Sequence, residues 1–337
     1  MKKITYIGAG GKIGKQALTM MCSQVPSDEE ANFVLIGSGS EESLTRLEGF
    51  RKDLAGALTI NKNHGKVNFT ITNDYSKTAD SDLVICSAGK HATKEEFEAF
   101  SSIDPSGRLV QSKINSEMIK NIFTELEKYC PNALSLVVTN QVDTMCQVAR
   151  ENASSLEIIG LTGAVDSTRL KQNIKETTGK ESEGFMIGYH NSSMTPMKNS
   201  INIKIDKDTL GEIVENTKSM GSTISKQQGA GKGGAKVSTG ATILPATAIA
   251  KLMKAYCFDK TPYIESCNVL ITDEEVAKHY GVPVNTTLSI PTQISKGKIK
   301  QTTDIELLED EKIAMREAQK KLNEDIKIIT TENVLEK

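Results

Sequence analysis

The chain has 337 residues, of which 41 are Lys or Arg and 43 are Asp or Glu, giving a formal net charge of −2. This length exceeds one ordinary core and predicts two domains, while the small net charge gives no electrostatic case for nucleic acid or an anionic membrane as a partner. No apolar run is long enough to span a bilayer and no signal peptide precedes the first strand pattern, so we expect a cytoplasmic protein.

Short apolar or β-branched runs alternate with helical segments over the first 150 residues. In chain order they are the strand KITYIG, the helix KIGKQALTMMCSQV, the strand NFVLIG, the helix EESLTRLEGFRKDLAGAL, the strands KVNFTIT and DLVICSAG, the helix NSEMIKNIFTELEKYC and the strand LSLVVTN. Strands that are apolar throughout and separated by helices indicate a parallel sheet covered on both faces. The pattern predicts an α/β doubly wound domain, which binds ligands at the carboxyl ends of its strands.

Glycines stand directly between the first strand and the first helix, in YIGAGGKIGKQA: Gly8, Gly10, Gly11 and Gly14. A dinucleotide pyrophosphate needs a tight turn, a closely approaching backbone and helix N-terminal amides, and glycines supply the first two. The spacing fits G-x-x-G-x-x-G better than G-x-G-x-x-G, because residue 13 is Ile. We therefore predict a dinucleotide site at this loop.

A literal G-x-G-x-x-G also occurs, at Gly229, Gly231 and Gly234. It follows a helical pattern instead of a strand, and its GAK misses the GK[ST] of a phosphate loop. We interpret it as a flexible loop before a helix.

The second strand ends in Gly37 and Ser38, followed by Gly39 and Ser40. A dinucleotide fold usually places an Asp or Glu here, which binds the ribose 2′-hydroxyl and repels a 2′-phosphate. If the dinucleotide is a nicotinamide one, the absence of this acid predicts relaxed or NADP-leaning selectivity, with NAD or NADP as the cofactor. The acidic pair at 41–42 would disfavour a phosphate unless it faces away.

The segment between residues 90 and 108 is long and polar. Its HATKEEFEAF carries a capping-box pattern, Thr93 with Glu96, which predicts an extra helical turn.

After about residue 150 the pattern changes to mixed α+β, which divides the chain into predicted domains 1–148 and 149–337. The predicted strands are FMIGYH, SINIKI, YIESCNVLI, TTLSIPTQI and IKQTTDI. The predicted helices are LGEIVENTKSMGSTISKQQ, ATILPATAIAKLMKAY (started or kinked near Pro245) and EDEKIAMREAQKKLNEDIKII, in which Ile313, Ala318, Leu322 and Ile326 tend to one side.

Three polar residues of the second half suggest chemistry. Asp166 and Arg169 stand three apart in GAVDSTRLKQ, which places both on one helix face, and His190 follows a strand. A His held by a carboxylate exchanges a proton near neutral pH, and a guanidinium clamps a carboxylate. Taken singly, each has a structural alternative: a loop histidine, a helix N-cap and a surface charge.

Across nearly its whole length the sequence resembles the lactate and malate dehydrogenases. The resemblance rests on IGAGGKIG, DLVICSAG, GRLVQSKIN, VVTNQVDTM, GAVDSTR, GYHNSSMTP and STGATILPATAIAKLM, which occur in the family's order. It implies an N-terminal Rossmann domain, a C-terminal α+β catalytic domain and a homodimer or homotetramer.

The resemblance also implies residue roles. His190 matches the proton acceptor and Asp166 the carboxylate that orients it. Arg108 matches the mobile-loop arginine that polarises the reacting carbonyl, and Arg169 the arginine that holds the substrate carboxylate.

Two asparagines complete the implied site. Asn140 matches a residue near both substrate and nicotinamide, and Asn115 matches a cofactor contact. The family usually has Pro after the residue matching Asn140, whereas Gln141 stands here, which leaves the local turn open.

The implied reaction is hydride transfer between a nicotinamide cofactor and a small 2-hydroxy acid. The glycine spacing and GATILPATAI favour malate/oxaloacetate, and GSGSEESLTRLEG resembles the strand end of NADP-linked malate dehydrogenases. Lactate/pyruvate or another 2-hydroxy acid is the alternative, since Ser101 and Ser102 stand where malate enzymes carry a second arginine; Lys90, His91 or Lys94 could supply that cation instead.

Two alternatives lie outside this class. A nicotinamide-dependent glycosidase would share the glycine loop but would need metal-binding Cys and His, whereas the six cysteines are scattered without a CxxC pair and we expect no metal. A non-catalytic nucleotide-binding protein would have no reason to keep Asp166, Arg169, His190 and Arg108 together.

Overall fold

The first half of the chain alternates strands with helices, as predicted. The computed structural model describes residues 1–90, 92–100, 104, 107–229 and 240–330. The strands of this half are β1 (Lys2–Ile7), β2 (Glu30–Ile36), β3 (Lys66–Thr72), β4 (Leu83–Cys86), β5 (Leu134–Val137) and β6 (Glu157–Gly160). Its helices are α1 (Lys12–Ser23), α2 (Glu41–Ile60), α3 (Lys94–Phe100), α4 (Arg108–Tyr129), α5 (Val142–Asn152) and α6 (Thr162–Thr178).

The second half mixes short and long strands with helices. Its strands are β7 (Phe185–Ile187), β8 (Thr195–Met197), β9 (Tyr263–Ile271), β10 (Thr286–Ser295) and β11 (Lys298–Gln301). Its helices are α7 (Lys207–Gly229), α8 (Ile243–Cys257), α9 (Glu274–Tyr280) and α10 (Glu309–Thr330).

The predicted parallel sheet is present, in the order β6-β5-β4-β1-β2-β3. Alternate residues of its strands join two different cores: Tyr6 and Leu35 pack with helices α1 and α8, whereas Ile7 and Ile36 share a core with α4 and α5 residues. Both faces are therefore covered, which confirms the doubly wound class and explains why the strands are apolar throughout. The carboxyl ends of β1, β2, β4 and β5 open on one edge of the sheet.

The C-terminal strands extend this sheet instead of forming a separate one. β9 joins β6 in antiparallel fashion at Gly160 and Asn268, and β10 and β11 follow outward. β7 and β8 form a small hairpin, tied to β10 by the bridge between Gly188 and Ser289.

Two details of the predicted elements are wrong. The first is SINIKI, residues 200–205, which is not a strand; its alternate residues Ile201, Ile203 and Ile205 pack on a small core that includes Leu170 and Ile213. The alternation therefore reflects one-sided packing without a pairing strand.

The second is the face of α10, which differs from the prediction at one position. Ala318 and Leu322 are buried as expected, but Met315 is buried and Ile313 is 45% exposed. The helix packs against elements of both halves, α4, α5, β8 and β10, which selects a stripe running through 315, 318, 322 and 329.

Helix starts near the predicted site follow their capping residues. The Thr93 amide donates to Glu96 Oε2 at 2.7 Å and the Glu96 amide to Thr93 Oγ1 at 3.2 Å, so the predicted capping box opens α3. α8 begins at Ile243 with Pro245 in its first turn, where no amide hydrogen is needed. α4 begins at Arg108, about two turns earlier than predicted.

Several predictions fall on residues outside the described part of the chain. These are the contributions of His91, Ser101 and Ser102, and the interpretation of Gly231 and Gly234 as a loop.

All six cysteines are buried, as the scattered pattern predicts, and within the described residues none is disulfide-bonded. In the same residues no group of three or more His, Cys, Asp and Glu side chains is placed to hold a metal ion. Among the described helices, none combines the length and apolar character needed to cross a bilayer.

Candidate active site

A cleft of about 1100 Å³ lies at the carboxyl edge of the parallel sheet. Its walls come from the loops that follow β1, β2, β4 and β5 and from the segment before α8. Residues lining it include Gly8, Gly10, Gly11, Gly14, Gly37, Ser38, Asn115 and Asn140. All the predicted cofactor contacts therefore meet in one cleft, which is large enough for a dinucleotide.

The glycine loop is built for close approach. Gly8 has a φ of +91°, and a Cβ on it would lie 2.5 Å from the Ala88 nitrogen. A Cβ on Gly14 would lie 2.3 Å from the Gly8 oxygen, so only glycine lets α1 approach the strand end. In the part of the chain that the structure describes, no side chain caps α1, whose first amides are thus available to an anion such as a pyrophosphate.

The end of β2 carries hydroxyls where an acid is usual. The Ser38 amide donates to Ser43 Oγ at 3.1 Å, and Ser40 Oγ accepts from the Ser43 amide at 3.1 Å, which caps α2. Glu42 is paired with Arg46 in the first turn of that helix. This acid and base thus neutralise each other beside the cleft.

Asn115 links two loops of the cleft wall through hydrogen bonds of its side chain. Its buried side chain accepts from the Lys90 amide at 2.9 Å and donates to the Asn140 carbonyl, also at 2.9 Å. Asn140 itself is exposed at the cleft, and the peptide that joins it to Gln141 is cis.

His190 lies at the strand end after β7, against the buried carboxylate of Asp166. Its Nδ1 donates to Asp166 Oδ2 at 2.6 Å, and Nε2 has no hydrogen-bond partner among the described residues. The His190 side chain is 22% exposed, whereas that of Asp166 is 3% exposed. Burial alone lowers the pKa of His190, but the charge and hydrogen bond of Asp166, together with the charge of Asp143, raise that pKa above its usual range.

Arg169 shares the same carboxylate from one turn further along α6. Its Nη1 lies 3.5 Å from Asp166 Oδ1, and its side chain is 8% exposed. Within the described residues its buried Nε has no hydrogen-bond partner. A buried guanidinium with a spare donor is a ready site for a carboxylate ligand.

Arg108, at the start of α4, is exposed, and its charge acts on His190 by lowering the pKa of that imidazole. The structure thus brings a base, its carboxylate and two guanidinium groups together. These residues come from α4, α6 and the β7 end, so both halves of the chain contribute.

The sequence pattern did not reveal one buried acid at the site. Asp143, in the first turn of α5, accepts from the His190 amide at 3.3 Å and from Asn268 Nδ2 at 2.7 Å. An acidic residue inside the otherwise apolar start of a helix was its only local signal.

Two family models cover almost the entire chain. "Lactate/malate dehydrogenase, NAD binding domain" matches residues 2–160, and "lactate/malate dehydrogenase, alpha/beta C-terminal domain" matches residues 164–333.

Individual relatives agree with these models. The chain is 25% identical over 343 residues to the malate dehydrogenase of Cytophaga hutchinsonii, with 97% of each chain covered. It is 27% identical over 327 residues to that of Staphylococcus saprophyticus, with 94% of each covered.

Solved structures share the fold at lower identity. The malate dehydrogenase of Picrophilus torridus superposes with a TM-score of 0.78 at 22% identity, covering 97% of both chains. The lactate dehydrogenase of Eimeria maxima, solved with NADH and oxamate, gives 0.77 at 22% identity, covering 99% of this chain and 95% of that one. With both domain models matched in order over nearly the full length, the chain belongs to the lactate/malate dehydrogenase family.

Proposed function

We propose that the protein is a nicotinamide-dependent malate dehydrogenase that interconverts malate and oxaloacetate. The observation that carries the proposal is the His190–Asp166–Arg169 cluster, which joins a proton acceptor, its carboxylate and a buried cation in one site. A protein that only bound nucleotide would have no use for this grouping.

His190 is the proposed acid and base. In alcohol oxidation its neutral Nε2 accepts the hydroxyl proton of the substrate, because Nδ1 is committed to Asp166. Asp166 stabilises the imidazolium that forms. In carbonyl reduction the same Nε2 returns the proton.

The guanidinium groups are the proposed substrate contacts. Arg169 holds the carboxylate next to the reacting carbon through its buried, unpartnered Nε. Arg108 acts on the reacting oxygen, and Asn140, which lines the cofactor cleft, contacts the substrate as well.

The cofactor would lie along the carboxyl edge of the sheet. The loop from Gly8 to Gly14 and the uncapped amides of α1 would hold its pyrophosphate, while Asn115 and Asn140 would border the ring. When bound, the nicotinamide supplies the hydride acceptor or donor of the reaction.

Malate is preferred as substrate because the relatives that match over nearly the whole chain are named malate dehydrogenases. A second substrate carboxylate needs a cation. Lys94 is paired with Glu98 at 3.6 Å on the surface, whereas Lys90 lines the cleft and makes no ion pair with a described residue. Lys90 is therefore the better candidate of the two.

For the cofactor we propose relaxed or NADP-leaning selectivity. The β2 end offers Ser38 and Ser40 without an acid, and Arg46 neutralises Glu42. Glu41 stays as a negative charge that a 2′-phosphate would have to avoid.

Steady-state rates with oxaloacetate, pyruvate and a branched 2-oxo acid, each with NADH and NADPH, test the proposal. We expect the highest kcat/KM with oxaloacetate and substantial turnover with NADPH. Pyruvate outpacing oxaloacetate would overturn the substrate. A strong NADH preference that disappears when Glu41 is replaced would show that the ribose acid has moved along the loop. Cofactor binding without turnover of any 2-oxo acid would favour a non-catalytic protein.

Other expectations from the sequence stay predictions. They are the domain division at residue 148, the homodimeric or homotetrameric assembly and the cytoplasmic location.

A further inference from the structure

A buried polar chain connects His190 to a guanidinium two turns further along α5 than Asp143. It runs from the His190 amide to Asp143, then through the side-chain amide of Asn268 to the guanidinium of Arg150. Asp143 is 1% exposed and Asn268 fully buried. The roles proposed above do not use any of these three groups.

Arg150 fixes the direction of the hydrogen bonds along this series of polar groups. A guanidinium only donates, so the Asn268 oxygen must accept from Arg150 Nη1, at 3.1 Å. The Asn268 nitrogen therefore faces Asp143, at 2.7 Å. Further bonds to Thr287 Oγ1 and the Ile158 carbonyl hold the guanidinium in place.

Asp143 is built to be a carboxylate. The two nearest groups at its oxygens, Asn268 Nδ2 and the His190 amide, can only donate, and the Thr162 hydroxyl donates to both oxygens from 3.5 Å. Its position in the first turn of α5 also favours a negative charge. Burial raises the pKa of Asp143 above its ordinary value, helped by the charge of Asp166, while His190 and the two hydrogen bonds limit that rise.

The charge on Asp143 has no direct counter-ion. Within the described residues neither Asp143 nor Arg150 makes an ion pair, so the two opposite charges face each other across one amide. A purely structural carboxylate would be better neutralised by contact with Arg150. Instead the negative charge is kept on the His190 side of Asn268.

We propose that Asp143 is a positioning residue for His190, holding its main chain through the amide and placing a second negative charge beside the imidazolium. The inference rests on the proposed function, because it assigns Asp143 to the same proton-transfer step. Asp166 orients the ring, whereas Asp143 fixes the backbone from which the ring projects.

Several charged groups surround His190 and set the background for this effect. They are Asp166 and Arg169 on α6, Asp143 on α5, Arg108 on α4 and, behind Tyr189, Asp325 on α10. Only Asp143 reaches the His190 main chain among the described side chains.

Two variants separate the hydrogen bond from the charge. In Asp143→Asn the side chain keeps only one acceptor oxygen, so its amide nitrogen opposes either the His190 amide or the Asn268 nitrogen. One of the two hydrogen bonds is therefore lost unless Asn268 turns and abandons Arg150. In the exchange variant Asp143→Asn/Asn268→Asp every hydrogen bond can be kept, since the carboxylate introduced at position 268 accepts both from the amide introduced at position 143 and from Arg150. That exchange moves the negative charge away from His190.

The readouts are kcat/KM for oxaloacetate and the titration of His190, followed by NMR of ring-labelled histidine and assigned with His190→Gln. We expect Asp143→Asn to lower kcat/KM by about tenfold to a hundredfold, as a misplaced catalytic group does, and to move the His190 titration to lower pH. The exchange variant should recover most of the rate while its His190 titration stays at lower pH.

Glu265→Gln is the matched control. Glu265 is another buried carboxylate, 2% exposed, bonded to Tyr263 and the Ser266 amide away from the cleft. The Glu265→Gln variant should be less stable than the wild type, while its His190 titration should not change.

Wild-type values of both readouts in folded Asp143→Asn would overturn the inference. An exchange variant whose His190 titrates as in the wild type would also overturn it. If Asp143→Asn does not fold, the His190 titration of the exchange variant tests the inference by itself. The titration needs no turnover. If the wild type reduces no 2-oxo acid, the proposed function fails while the titration still tests the influence of Asp143 on His190.

Discussion

The His190 side chain is partly buried against Asp166 and partly exposed. Its Nδ1 is held by a buried carboxylate, while 22% of the side chain remains exposed. Because its pKa lies above the usual range, the neutral form that accepts a proton gains population only as the pH rises through that raised value. Alcohol oxidation should therefore rise with pH and carbonyl reduction should fall over the same interval, which the pH profiles of kcat/KM in the two directions measure.

Replacing His190 by Gln should remove this proton exchange. We expect turnover to fall by at least about a hundredfold, with cofactor affinity nearly unchanged. The chain has no tryptophan, so the fluorescence of NADH or NADPH reports binding directly. His279→Gln is the control, since among the described residues the His279 ring bonds to the Ile305 carbonyl, at 2.9 Å, and stacks edge-on against Tyr280. An active His190→Gln enzyme would contradict the assignment.

Gly221 on α7 is a second residue whose identity matters to the site. A Cβ placed there would lie 3.2 Å from Arg169 Nη1 and 3.4 Å from Nη2, so the guanidinium would have to shift by a few tenths of an ångström. Glycine within a helix costs about 0.5–1 kcal/mol relative to alanine. The helix accepts that cost at the position where the Arg169 guanidinium, the proposed substrate-binding group, needs the space.

Gly221→Ala should thus have opposite effects on stability and binding. We expect a higher Tm but a KM for oxaloacetate raised about tenfold, from a weakened charge-assisted bond. Gly211→Ala on the same helix is the control, because no atom lies within 4 Å of its added Cβ. Equal KM values in the two variants would show that Arg169 tolerates the extra methyl group.

At the scale of elements, α10 links the two halves of the chain at the active site. It packs on α4 and α5 of the first half and on β8 and β10 of the second. Its Asp325 accepts from the hydroxyl of Tyr189, the residue before His190, at 2.9 Å, and also pairs with Lys321 at 3.0 Å. The C-terminal helix therefore helps to fix the segment that carries the proposed base.

Tyr189→Phe tests this link. Loss of a buried hydroxyl that donates to a carboxylate should lower the free energy of unfolding by about 1–3 kcal/mol, and kcat should also fall because the His190 segment loosens. Chemical denaturation and steady-state kinetics measure the two effects. Tyr280→Phe is the control, because it removes a buried hydrogen bond to the Thr302 carbonyl, outside the cleft. This variant should have a lower free energy of unfolding and an unchanged kcat. A Tyr189→Phe enzyme with normal kcat would limit α10 to a structural role.

The hydrophobic periodicity of the sequence predicted most elements, because the spacing of apolar residues shows which side of a helix or strand is buried. The predicted strands β1–β5 and helices α1 and α2 are present, and the capping box at Thr93 even located a helix of seven residues, whereas α5 and β6 had no predicted counterpart. The failures were segments whose partner decides their state. Residues 200–205 alternate like a strand but pack one-sidedly, and Ile313 lost its place in the core to Met315.

At the scale of the whole molecule, a continuous sheet joins both family domains. β9 adds to β6 through Gly160 and Asn268, so the β9 side chains reach the edge of the cofactor-binding half. A Cβ on Gly160 would meet Cys146 Sγ at 2.7 Å, which shows how closely α5 approaches this junction. The junction brings Asn268 to Asp143 and places the second half against the cleft.

The sequence by itself determined the fold class and the glycine loop and pointed to His190, Asp166 and Arg169 as candidate site residues, because these depend on local periodicity, spacing and a family pattern. Only the tertiary structure decided which groups act on them. Asp143 meets His190 across 47 residues of sequence and Asn268 across 125, and Gly221 reaches Arg169 from another helix. Such neighbours are set by sheet order and helix packing, which no local pattern encodes.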